Sequence, residues 1–233
     1  MRGSIVLGVI ALAGCTAAAD PGPKGTRSFP VAQFDSVALG GAHDVIVHVG
    51  DAASVRAEGN QRALDNLVIR VDGQTLRIED KPHMWSFGGR DDHATIYVTV
   101  PALTGVALGG SGNIRVDKAT GPGFSASVDG SGDIEVGALQ VASADFSIAG
   151  SGNISAQGQA DHVKASVAGS GSIETPSMKS RTAEISITGS GNVALFASDT
   201  VAVNTVGSGD TTVHGPAKCT VQKRGSGEVH CGA

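Results

Sequence analysis

The chain has 233 residues, 40% of them hydrophobic, which is enough to bury a core, yet aromatics make up only 3% and glycines number 34. That balance argues against a two-layer globular enzyme and suits thin, closely stacked sheets of small and β-branched residues. A net charge of −5 spread along the chain, with no basic patch in the sequence and almost no aromatic stacking platform, argues against a nucleic-acid partner.

The N-terminus reads as an address. Met1 and Arg2 precede an apolar run from Ile5 to Ala13, of signal-peptide length and too short to span a bilayer. The run ends Leu12-Ala13-Gly14-Cys15, which resembles the bacterial lipobox; residues 1–15 are therefore expected to be a lipoprotein signal ending at the lipidated Cys15. Thr16 in place of Asp after that cysteine favours, by the same resemblance, the outer membrane of an organism that has two. An ordinary secretory signal with an incidental Cys15 is the alternative. Residues 16–33, with Pro21, Pro23 and Pro30 and no periodicity, are expected to be a flexible tether.

A folded domain is expected over residues 34–233. Val37-Ala38-Leu39-Gly40-Gly41 recurs word for word at Val106-Ala107-Leu108-Gly109-Gly110, so Gly41 aligns with Gly110 and Asp44-Val45 with Asn113-Ile114. The first part is thus expected to be a diverged set of the later units with insertions. Val45, Val47 and Val49 alternate, as do Leu67, Ile69 and Val71, and Asp72-Gly73 before Leu76 and Ile78 predicts a hairpin. Gln61 to Asn66 fits a single helical turn. Lys81 to His93 breaks the pattern with Trp85 and Phe87; it is either an interaction loop or a hairpin loop covering the end of a core. His83 and His93 with Asp91 and Asp92 are usable metal ligands without a spacing that fixes geometry, so no metal is expected there, and no cofactor anywhere.

From about residue 104 the chain repeats. Gly-Ser-Gly begins at Gly110, Gly130, Gly150, Gly169, Gly189, Gly207 and Gly225, at steps of 18 to 20 residues. The second glycines of the first six copies are Gly112, Gly132, Gly152, Gly171, Gly191 and Gly209. Counted from the first glycine, apolar residues occupy even offsets on both sides, as in Phe146, Ile148, Ile154 and Ala156 around Gly150, while odd offsets are polar. One face therefore stays apolar straight through each motif, as strand geometry requires. Stacked rungs or a series of hairpins would both bury it. Charges favour rungs: Asp145, Lys164 and Glu184, and Arg115 and Glu135, alternate in sign one period apart. The expected fold is an all-β, right-handed parallel β-helix. Seven copies point to structure rather than seven active sites; the glycines let rungs nest, and the Asn, Asp or Ser three residues on forms a ladder. Thr205, Thr211 and Lys223 fall on the inward parity, so the last rung is expected to open to solvent, with Cys219 and Cys231 pairing to close it.

These repeats, the opening Phe34-Asp35-Ser36-Val37 and the strand into Pro101-Ala102-Leu103 resemble the bacterial head GIN domain family, described as auto-transporter adhesin heads. The resemblance implies a β-helical envelope domain and supplies no catalytic residue. An auto-transporter needs a C-terminal membrane barrel; none is expected beyond Ala233, and the lipid anchor is expected to replace it. The functional expectation is a non-enzymatic envelope lipoprotein that presents an adhesion or interaction surface to a protein or glycan. A polysaccharide-active enzyme and a periplasmic scaffold or signalling partner are the alternatives.

Overall fold

The computed structural model describes residues 23–81 and 93–232. Its strands in chain order are β1 (Lys24–Phe29), β2 (Ser36–Gly41), β3 (Asp44–Val49), β4 (Ser54–Asn60), β5 (Leu67–Asp72), β6 (Thr75–Asp80), β7 (Ala94–Val100), β8 (Gly105–Gly110), β9 (Asn113–Gly130), β10 (Asp133–Gly150), β11 (Asn153–Gly169), β12 (Ser172–Thr175), β13 (Met178–Gly189), β14 (Asn192–Phe196), β15 (Thr200–Gly207), β16 (Thr211–His214), β17 (Lys218–Gly225) and β18 (Val229–Cys231), with one helix, α1 (Gln61–Asn66), between β4 and β5. They form a β-solenoid of about six turns.

Every pairing in the regular half is parallel and joins residues one repeat apart: Ile134 lies beside Ile114 and Ile154, and Gly150 beside Gly130 and Gly169. Even-offset side chains fill the interior, which runs as one core from Phe34 to Ala217. Size alternates along its columns. Phe146, fully buried, sits between Ala126 and Ala165 of the neighbouring rungs, and Phe124 beside Ala144. Large beside small lets rungs keep the ~4.8 Å strand spacing without voids.

The Gly-Ser-Gly copies are the corners where β8, β9, β10, β11, β13, β15 and β17 end. The carbonyl of each first glycine but the last, Gly225, accepts hydrogen bonds from the next rung; Gly130 takes them from the amides of Ser151 (2.9 Å) and Gly152 (3.1 Å). That carbonyl occupies the space a side chain would need. A Cβ on Gly150 would stand 2.2 Å from the Gly130 oxygen, and one on Gly152 2.1 Å from the Gly132 oxygen. Gly150 also has φ +134°, in the region that L side chains rarely adopt. Three residues past the first glycine, the ladder takes up corner amides. Asp133 Oδ1 accepts from the Asn153 backbone (3.0 Å) and side chain (2.8 Å), and Asp210 Oδ1 from the Glu228 amide (2.7 Å).

The N-terminal part departs from the order of the chain. β2 stacks on β8 with Val37 to Gly41 paired one to one with Val106 to Gly110, as the repeated word predicts. β6 and β7 then return to the opposite side of β2 and β3, in parallel register, so the outermost parallel rung is built from later residues than the rung it covers. Antiparallel β4 pairs with β7, and β1 with β4, finishing this end with α1, whose Ala63 and Leu64 are buried. The Asn60 side chain caps α1 by accepting from the Ala63 amide (2.7 Å). Asp72-Gly73 turns the β5–β6 hairpin, with Gly73 at φ +62°.

Two sequence expectations are modified. Within the expected tether, Lys24–Phe29 form β1, because Gly25, Arg27 and Phe29 turn inward and Arg27 bridges to the Leu64 carbonyl (2.7 Å) and to Asp65 (2.6 Å). And the diverged first part holds one rung equivalent to the later repeats, β2–β3, the remainder being a cap folded back over it.

Candidate interaction surface

Odd-offset residues line the outside of the solenoid in columns. After each corner run Asp44, Asn113, Asp133, Asn153, Ser172, Asn192 and Asp210, each beside the next along the stack. Two residues on lie Arg115, Glu135, Ser155 and Glu174. Arg115 Nε donates to Glu135 Oε2 at 3.1 Å, an exposed pair worth less than about 1 kcal/mol. Between these columns lies a shallow groove of about 580 Å³ lined by Asn113, Arg115, Asp133, Glu135, Asn153 and Glu174 among others. Before each corner, Ser127, Ser147, Ser166 and Ser186 form a serine column, flanked by Asp145, Lys164 and Glu184 in direct register. These are flat arrays of hydrogen-bonding groups. They suit contact over an extended area better than reaction at a point.

The residues singled out in the sequence fall in different places. Cys15, and Trp85 and Phe87 with His83, Asp91 and Asp92, lie outside the described residues. His93 is described and pairs with Asp44 at 3.3 Å. Among the described residues no three His, Cys, Asp or Glu side chains gather as a metal site. The glycines of the repeats, Gly110 to Gly209, stand at the corners, where they serve the packing of the rungs. Cys219 and Cys231 have Cα atoms 6.4 Å apart and sulfurs at bonding distance, joining β17 to β18 across the last corner. Lys223, on inward parity, finds no rung above it among the described residues; it is exposed, and its ammonium donates to the Gly227 carbonyl (2.8 Å).

Two features are absent from the sequence reading. His43 is 2% exposed at the corner between β2 and β3, one turn from Gly112. Its Nδ1 accepts the Ala94 amide (3.2 Å), which leaves Nε2–H to donate to Asp80 Oδ1 (2.9 Å). The aligned words place His43 opposite Gly112, and that substitution was the available signal. The second feature is a local concentration of charge. Lys218, Lys223 and Arg224 collect on β17, a basic end concealed in the sequence by the even spread of charge.

The family model described as "putative auto-transporter adhesin, head GIN domain" matches residues 33–217. The chain belongs to this family. A crystal structure of a "putative adhesin" from Bacteroides fragilis NCTC 9343 is similar at TM-score 0.81 and 19% identity, covering 89% of this chain and 96% of that one. Another "putative adhesin", from Parabacteroides distasonis ATCC 8503, is similar at TM-score 0.75 and 20% identity, covering 90% and 97%. A "putative lipid binding protein" from the same organism is similar at TM-score 0.70 and 25% identity, covering 90% and 96%. No curated protein matches the chain. The head GIN solenoid here therefore shares the fold of these proteins over nearly its whole length.

Proposed function

We propose that this head GIN protein is a non-enzymatic, lipid-anchored envelope protein whose lateral face binds a polar protein or glycan surface. The observation that carries the reading is the groove between the ladder of Asn113, Asp133 and Asn153 and the column of Arg115, Glu135 and Glu174, continuous over successive rungs and rich in donors and acceptors. Membership of a family described as adhesin heads supports an exported, surface or envelope setting. Cys15 supplies the anchor in this reading, where several acyl chains at about 0.8 kcal/mol per buried methylene would hold the domain firmly.

The test has two arms. Cys15→Ser should move the protein from the membrane to the soluble fraction; retention in the membrane would refute the anchor. Purified protein should bind envelope or host-surface glycans and proteins in an array, and Arg115→Ala with Glu174→Ala should reduce that binding while leaving the thermal melt in place. Equal binding by the double variant would remove the groove from the account.

A further inference from the structure

Beyond the lateral face, the two ends of the stack differ. The N-terminal end is finished by antiparallel β4 and β1 and by α1. At the other end, among the described residues, β17 pairs only with β15 and β18 only with β16, so the outer edges of both strands carry unpaired amides and carbonyls. A sheet edge of this kind is a template for another strand. The interior column also opens here. Val221 belongs to the inward parity that is buried in the rung below, where Val203 is 2% exposed, yet Val221 itself is 44% exposed. On the outward face Val206 of β15, in register with Arg224, is 45% exposed, so two of the three large exposed hydrophobics among the described residues lie in the last two rungs.

Charge selects the occupant. Residues 218–231 carry Lys218, Lys223 and Arg224 against Glu228 alone, in a chain whose net charge is −5. Lys218 and Arg224 stand six residues apart on the outward parity of β17, and neither has an ion-pair partner among the described residues. A second copy is disfavoured as the occupant. Antiparallel self-pairing centred on Val221 would set Lys218 opposite a second Arg224, and like charges directly opposite repel. An anionic lipid surface would answer the cations but leave the row of backbone groups and Val221 unused.

We propose that the open β17 edge is a strand-addition site for an extended acidic segment of a partner protein. Its carboxylates would face Lys218 and Arg224, and its alternate aliphatic residues would cover Val221. Backbone hydrogen bonds supply affinity and the two cations supply selection by charge.

The probe is a labelled seven-residue peptide, acetyl-Glu-Val-Thr-Val-Thr-Val-Glu-amide, and its counterpart with lysine at both ends, titrated by fluorescence anisotropy onto the full chain with its disulfide intact. The acidic peptide should bind at least about tenfold more tightly than the lysine peptide, with an affinity that weakens as salt is raised. Lys218→Glu combined with Arg224→Glu should reverse that order without shifting the thermal melt. The comparison of the two peptides on the unmodified chain decides the matter even if the double variant fails to fold. Equal affinities, no binding up to roughly 1 mM, sedimentation of the free chain as a dimer through this end, or capture by anionic vesicles with neither peptide bound would each overturn the proposal.

Discussion

Replacing Gly150, Gly152 and Gly73 singly with alanine separates two reasons for glycine. Gly73 has φ +62° and nothing within 4 Å of an added Cβ, so alanine there meets only backbone strain, about 1–2 kcal/mol. Gly152 has no left-handed φ, but its Cβ would stand 2.1 Å from the Gly132 oxygen and 2.8 Å from Val128 Cγ1. That oxygen is backbone and held in a stacked corner, so rungs must part, at about 1–3 kcal/mol for overpacking. Gly150 combines φ +134° with a 2.2 Å approach to the Gly130 oxygen, and the two costs together give about 2–5 kcal/mol. Urea unfolding followed by circular dichroism should order the variants by loss of stability as Gly150 first, then Gly152, then Gly73. If Gly152→Ala unfolds at the wild-type midpoint, close stacking is not why the second glycine is there, and the account of the corners falls.

Other expectations follow from the same structure. Reducing the Cys219–Cys231 bridge, or changing both residues to alanine, should expose residues 215–232 to proteolysis while the preceding rungs stay resistant, a local loss of about 3 kcal/mol for a loop of this length; unchanged cleavage would contradict the staple. Thr205→Val should raise stability by about 1 kcal/mol, since the Thr205 hydroxyl is fully buried without a hydrogen-bond partner among the described residues; a lower melting temperature would show that the hydroxyl is satisfied. The Asp65 carboxyl is held below its ordinary range by the hydrogen bond from Arg27 and then by that from Gln61. A depressed folded-state pKa means that its contribution is present above the unfolded pKa and fades as pH falls through the folded value, so the acid limb of a stability profile, below about pH 4, should flatten in Arg27→Ala. An NMR titration that leaves Asp65 unmoved in that variant would refute the assignment.

Much of the architecture is legible because the repeats carry their own register. A period that returns an apolar residue at every even offset can be stacked in only one way once Val37 to Gly41 is matched to Val106 to Gly110, and the pairing of Arg115 with Glu135 agrees with it. The cap is less legible. Leu76 and Ile78 alternate like any other strand, but β6 ends without the Gly-Ser-Gly corner, so nothing local assigns it to the far side of β2. β1 contains one large apolar residue, Phe29, and its place depends on Arg27 reaching across to α1. For the surface, spacing revealed the columns of small polar residues. The basic end emerged only when folding left β17 without a further rung among the described residues.

The back-folded order of the N-terminal rungs also sets a timetable. β2 and β3 are made before all their partners in the stack, for their neighbours on one side are residues 75–78 and 95–100, and on the other residues 105–110 and 113–116. Until residue 116 has been made, at least one edge of this first rung lacks its partner, and such edges are where immature chains stick to one another. After that point each new repeat adds to a template already in place, in the order of synthesis. The most hazardous interval in the life of this molecule thus comes before residue 116 is in place, while the edge left open among the described residues is guarded by Lys218 and Arg224.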